Sequence, residues 1–297
     1  SDAPSDSVSS VNVTFSSITL KPASDSDDSE LDLPILDDEG NPSTMTIDLM
    51  NYQNGDAKLI INNVVVAIGD YESLVLNTFG CPQNQNGSTE FCWVVDNEGI
   101  KTLKTPSNKL KLGAFSVTSE TEQSYTIEFN LRSSLTSTAN GASYNLKPHG
   151  VRIVNADTTG SVTGAVDVAL LNAGEESCET VFLAETDHGK VMYLYESDAI
   201  GENTLADEFD ADNAVNELPE NLIAPYASDT ITFNTETETY HYSFSHVEQG
   251  NYTLAFSCSA VADDPVEYDS LLIPNPPLQF HTIEIVSGEE IVQDFTE

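Results

Sequence analysis

The residues with chemical potential are numerous but poorly arranged for catalysis. Five histidines, His149, His188, His241, His246 and His281, are scattered through 297 residues. His241 and His246 lie five positions apart in one strand-like run, so simple alternation sends them to opposite faces, where they cannot share a ligand. Gly160-Ser161-Val162-Thr163-Gly164 approaches a nucleophile elbow, but G-x-S-x-G needs the serine in the middle and here it comes second. No H-E-x-x-H and no glycine-rich phosphate loop occurs. With 49 acidic residues, paired carboxylates arise by chance, so a glycosidase-type pair carries no weight in the sequence alone. The expectation is a chain without catalytic residues, not an enzyme.

Acid clusters invite a different chemistry. Carboxylates grouped with asparagine or glycine suit a hard cation such as calcium. Asp207, Asp210, Asp212 and Asn213 are the best metal candidates, followed by Asp263, Asp264, Glu267 and Asp269. The acidic runs Asp25 to Asp32 and Asp37 to Pro42 read as solvated loops or as a calcium site, and neither has the EF-hand spacing. Calcium is the one cofactor these patterns suggest.

Composition narrows the partners. Ten basic against 49 acidic residues give a net charge of −39 and a pI near 4.1. That argues against nucleic acid, which needs a basic face, and against anionic lipid. It favours cations, a basic partner or solubility at high ionic strength, and a saline habitat is expected. No stretch approaches the roughly 20 apolar residues of a membrane helix. The opening residues do not read as a signal peptide. Ser1 reads as a mature terminus, cleaved by a signal peptidase or trimmed just after a lipidated cysteine, which would place a lipid anchor upstream of Ser1.

The elements expected to position these residues are strands. Tyr125, Ile127, Phe129 and Leu131 recur at every second position, with Thr126, Glu128 and Asn130 between them. Lys109-Leu110-Lys111-Leu112 alternates likewise, and Phe115 and Val117 resume beyond Gly113. Val11, Val13, Phe15, then Ile18 and Leu20 give a first strand with a bulge expected at Ser16-Ser17. Leu59 to Ile68 is a nearly continuous apolar run broken by Asn62-Asn63, read as a buried strand pair or tight hairpin. Trp93, the one tryptophan, is read as core rather than as a stacking platform. Arg132, just past its strand, pairs with a carboxylate near a sheet end or else binds a ligand. Ala206 to Leu222 reads as an acidic insertion with a short helix stopped before Pro219.

Two runs carry family resemblance. Asp2-Ala3-Pro4, Asp6 and Val11 to Ile18 at the start, with Pro106 to Val117, Phe129 to Leu135 and Gly141 to Val154, resemble the bacterial domain of unknown function 4382 family over about residues 2 to 154. Residues 60 to 100, with a cysteine-bounded loop, depart from that pattern. Membership implies export, often as a lipoprotein, and no activity. Tyr240 to Val247 and Gly250-Asn251-Tyr252-Thr253-Leu254-Ala255-Phe256-Ser257-Cys258 resemble the prealbumin-like, carboxypeptidase-regulatory-like sandwich over about residues 160 to 297. That resemblance implies a stiff spacer or adhesive unit without catalytic residues.

The expected fold is therefore all-β, two β-sandwich domains in tandem, 1–154 and 155–297. The cysteines Cys81, Cys92, Cys178 and Cys258 show no C-x-x-C spacing, so zinc is not indicated. Three connectivities are open, and Cys81–Cys92 with Cys178–Cys258 keeps each bridge inside one domain. The location expected is extracellular or on the outer surface of a bacterium. Three functions are open: a structural or adhesive protein that self-assembles, a surface module binding a glycan or small ligand, or an accessory lipoprotein. Lys101, Lys104, Lys109 and Lys111 fall within eleven positions. They guard a sheet edge or form a basic patch for the next subunit of a homopolymer built by strand addition.

Overall fold

A computed structural model describes residues 7–24, 28–52, 55–81, 88–119, 121–138, 141–173, 189–196, 204–211 and 218–296. The chain is all-β and forms two compact units. One comprises Ser7–Phe129 and Ser134–Ala156. The other takes in Asn130–Ser133 and Asp157–Glu297, together with Ser1–Asp6, which lie outside the described residues.

The first unit contains β1 (Val8–Pro22), β2 (Leu31–Pro34), β3 (Met45–Asp48), β4 (Gly69–Thr78), β5 (Trp93–Asp96) and β6 (Gly99–Lys104). These are followed by β7 (Lys109–Lys111), β8 (Phe115–Val117), β9 (Tyr125–Phe129), β10 (Leu135–Thr138), β11 (Ser143–Leu146) and β12 (Val151–Asn155). Its organising strand is β1. On one side β5 pairs with residues 8–12 and β4 with 15–22; on the other, β3 pairs with 12–15 and β2 with 17–20. The register slips between Phe15 and Ser17, at the bulge the broken apolar phase predicts. The Ser16 carbonyl stays satisfied, accepting from Ile35 N at 2.9 Å. Val11, Val13, Phe15, Leu74, Leu76, Val94, Leu103 and Leu110 are buried in this unit. Strands β9 and β12 form a separate ladder in which Arg152 lies opposite Glu128, their Nη2 and Oε2 atoms 2.7 Å apart. All five residues of β9 are half-buried, so its alternation does not divide one covered face from one wet face.

The apolar run Leu59 to Ile68 departs from expectation. It forms neither a strand nor a hairpin, and no residue from 55 to 68 is buried. A two-residue hairpin of the I′ type needs positive φ at both central positions. Of Asn62 and Asn63, only Asn63 has it, at 56°.

The second unit is a sandwich. Its strands are β13 (Thr159–Val166), β14 (Val191–Tyr195), β15 (Thr204–Leu205), β16 (Leu222–Ile223), β17 (Ala227–Thr230), β18 (Thr232–Asn234), β19 (Thr239–Glu248), β20 (Gly250–Ser257), β21 (Phe280–Ile285) and β22 (Glu290–Val292). One sheet runs β18-β19-β13-β22 and the other β17-β14-β20-β21. Val162, Met192, Leu194, Tyr242, Phe244, Leu254, Phe256 and Phe295 belong to one buried apolar cluster. Gly160 and Gly164 now have a packing reason. A Cβ at Gly160 would strike the Val286 and Glu289 carbonyls, and one at Gly164 the Gln293 carbonyl. In β19 the buried positions run Tyr242, Phe244, Val247, and His246 has a φ of 53°. The parity slips there, so counting alternate positions no longer separates His241 from His246 by face.

Candidate functional site

Strand β14, Val-Met-Tyr-Leu-Tyr, is buried along its whole length. Met192 and Leu194 join the core between the sheets. Val191, Tyr193 and Tyr195 instead join a second cluster with Leu205, Ala255, Ala260 and Ile273. Two tyrosine hydroxyls are thereby taken from water, and each needs a partner. Tyr195 Oη donates to the Ala206 carbonyl at 2.7 Å, and Tyr193 Oη to Asp263 Oδ2 at 2.7 Å.

Asp263 is the centre of this layer. Its Oδ2 also accepts from Arg132 Nη2 at 3.1 Å, and its Oδ1 accepts from Glu208 N at 3.2 Å. Arg132 comes from the short helix α1 (Leu131–Ser134), whose start is held by Arg132 N donating to Asn130 Oδ1 at 3.1 Å. Ser133 Oγ donates to Glu208 Oε2 at 2.7 Å. Asp207 accepts from Leu271 N at 2.8 Å on one oxygen and from Asp269 N at 3.3 Å on the other. Arg132, Asp207, Glu208 and Asp263 are all buried.

Three carboxylates thus share this layer with one guanidinium. Burial pushes the Asp207 carboxyl up to about 7. It pushes Asp263 up to about 6, against the opposing pull of Arg132. Burial also drives the Tyr193 and Tyr195 hydroxyls well above their usual range, with the neighbouring carboxylates adding to it. Every oxygen of Asp207 and Asp263 accepts a hydrogen bond from the unit's own groups. The arrangement locks a loop layer onto the outer face of β14, and a cation at Asp207 would first have to displace two backbone donors.

The residues singled out by sequence fall as follows. Arg132 forms an ion pair with Asp263, with side chains 5% and 0% exposed, so the pairing reading of this arginine is the one the structure shows. Asp207 belongs to that layer and Asp210 is half-buried beside it in sequence, while Asp212 and Asn213 lie outside the described residues. Within the acidic insertion residues 206–209 are buried, and residues 212–217, where most of the short helix before Pro219 is expected, lie outside the described residues. Asp264 and Asp269 shape a turn, Asp264 N donating to Asp269 Oδ2 at 2.7 Å. Among the described residues, no group of three or more His, Cys, Asp or Glu side chains is placed to hold a metal ion. Cys81 and Cys92 are bonded to each other. Cys258 is disulfide-bonded as well, and Cys178 lies outside the described residues.

The four lysines do not make one patch. Lys101 and Lys104 are three positions apart on β6 and so take opposite faces. Lys101 Nζ is held by Glu98 Oε2 at 2.7 Å. Lys109 and Lys111 are exposed on either side of buried Leu110, on β7, which among the described residues pairs only with β4. That placement is the edge-guarding one. Trp93 is half-buried in β5. Missed by sequence reasoning were Asp263 as the partner of Arg132, and Tyr193, Ser133 and Glu208 as further members of the same buried layer. Nothing among 49 acids singles out the one that an arginine 131 residues away will meet.

Comparison with known families bears on the amino-terminal part of the chain. Residues 1–148 match the family model of a domain of unknown function, DUF4382. The DUF4382 match takes in β1, with its bulge, through β11. It stops short of the run that resembles the prealbumin-like sandwich. No curated protein matches the chain. Two crystal structures, each described as a "putative cell adhesion protein", are similar at low level. That from Bacteroides fragilis is 9% identical, covers 95% of this chain and 79% of its own, and has a TM-score of 0.19. That from Bacteroides eggerthii is 10% identical, with coverages of 97% and 81% and a TM-score of 0.22. Likeness at that level adds nothing to the DUF4382 match. Among the described residues no helix is long and apolar enough to cross a membrane.

Proposed function

We propose that this chain is an exported, non-catalytic protein of the bacterial outer surface, serving in structure or adhesion and assembling into homopolymers by strand addition. The observation that carries this reading is that Cys81, Cys92 and Cys258 are all disulfide-bonded. Such bonds persist in oxidising compartments and are rare in the cytosol. Two all-β units with buried apolar interiors suit a load-bearing role. The prealbumin-like reading of residues 160–297 belongs to the same proposal, as a stiff spacer.

The test begins with intact host cells. A membrane-impermeant amine reagent should label the protein, and its cysteines should resist alkylation until reduced. Electron microscopy and light scattering of surface material should show polymers. A cytosolic protein with free thiols would overturn the whole reading. A labelled protein that is monomeric would remove only the assembly.

A further inference from the structure

Residues 57–68, Ala-Lys-Leu-Ile-Ile-Asn-Asn-Val-Val-Val-Ala-Ile, are nine-twelfths apolar, and none of them is buried. Val65 is 94% exposed, Leu59 67% and Ile68 50%. Among the described residues the backbone of this stretch pairs with no strand, and its one hydrogen bond is the Ala67 carbonyl accepting from Tyr71 Oη at 2.9 Å. Composition and conformation therefore disagree. β-Branched, uncharged runs are the sequences that pair as strands, yet among the described residues this one joins no ladder and buries none of its side chains.

The missing partner must supply two things. It must cover apolar side chains, and it must bond a row of peptide groups. Lipid covers the first and fails the second, because each peptide group left unsatisfied in hydrocarbon costs several kcal/mol. A sheet edge does both. Charge limits which edge. Residues 57–69 contain Lys58 and no acid, in a chain of net charge −39. Two such chains repel over most of their surface, and an acid-free stretch is where that repulsion is least.

The chain also offers an edge. Strand β21 pairs with β20 alone and, at six residues, is the longest edge strand among the described residues. Leu278 just before it is 81% exposed and Val286 just after it 37%. Its outward residues include Glu284 and no lysine, unlike β7 with Lys109 and Lys111. An acid there complements Lys58 rather than repelling it.

We infer that residues 57–68 are a donor strand that adds to the open edge of β21 in a second copy of this chain. The inference rests on the self-assembly reading and names its contact. Donor and acceptor differ, so the contact is heterologous and propagates into a filament when the rotation between copies does not close.

Light scattering and electron microscopy on the full chain across a range of salt concentrations provide the test. The variants are Val65→Asp, which puts an acid in the stretch, and Val65→Ile, which preserves it. Because residue 65 is exposed, neither should move the melting temperature. Val65→Asp is expected to lower the polymer fraction at least tenfold and Val65→Ile to leave it unchanged. In wild-type polymers the amides of Phe280–Ile285 should exchange more slowly than in monomer. Polymers that ignore Val65→Asp would sink the donor strand while sparing self-assembly. A wild-type chain monomeric in every condition would sink both. Vesicles of phosphatidylcholine that bind the wild type but not Val65→Asp, without polymer, would make lipid the occupant and overturn the inference.

Discussion

Arg132 and Asp263 show what one buried pair contributes in an acidic chain. Removing one partner of such a pair leaves an uncompensated charge, at roughly 3–5 kcal/mol. Arg132→Leu is therefore expected to destabilise the second unit by that order in denaturant unfolding. The cost should vary with pH. Asp207 and Asp263 titrate near 3.9 when unfolded, but at about 7 and about 6 when folded. The folded state binds more protons between those values, so the stability they contribute is full below about pH 4 and is lost as pH rises through 6 to 7. Wild type should melt higher at pH 5 than at pH 8 at fixed ionic strength. Arg132→Leu should cost more at pH 8 than at pH 5, because losing Arg132 moves the Asp263 carboxyl up further and keeping it neutral becomes costlier as pH rises. An equal cost at both values would show that Asp263 does not carry the dependence. At this scale the sequence marked Arg132 for a carboxylate partner but could not choose it. It also marked Asp207 as a metal candidate, where burial and two backbone donors give it another task.

At the scale of elements, alternation of apolar residues located β1, β7, β8, β9 and much of β19, although burial does not alternate strictly along β1 or β9. The bulge in β1 was legible as a break in that alternation. Two kinds of element were not. A bulge such as that at His246 resets the count beyond it, and nothing in His-Val-Glu announces it. An apolar run such as Leu59 to Ile68 reads as core because hydrophobicity reports a tendency to be covered, not which molecule provides the cover. Glycine positions are more direct evidence of packing. Gly164→Ala would drive a methyl into the Gln293 carbonyl, and about 1–3 kcal/mol of destabilisation is expected by thermal or urea unfolding. Cys81→Ser with Cys92→Ser opens a loop of sequence separation 11. It should cost about 2–3 kcal/mol, read as a lower urea midpoint for the first unit.

For the whole molecule, charge and chain order dominate. A net charge of −39 over 297 residues opposes compaction. Both units should gain melting temperature between low salt and 1 M sodium chloride, the gain saturating as the screening length falls to about 3 Å. A flat salt response would mean that the acids are already neutralised by bound cations. Chain order sets a second expectation. The second unit includes Asn130–Ser133, far upstream of its main body at Asp157–Glu297. A fragment covering 157–297 alone should therefore melt below the same unit within the full chain.

That borrowed tetrapeptide also has a consequence for biogenesis. A chain delivered amino terminus first presents Arg132 131 residues before Asp263 arrives to neutralise it. Until then the guanidinium is an exposed cation beside nascent strands, available to any acidic surface, including the chain's own or a chaperone's. The arrival of residue 263 closes that interval. A product terminated before residue 263 would keep Arg132 without this carboxylate and β14 without the layer that covers its Tyr193 and Tyr195 side.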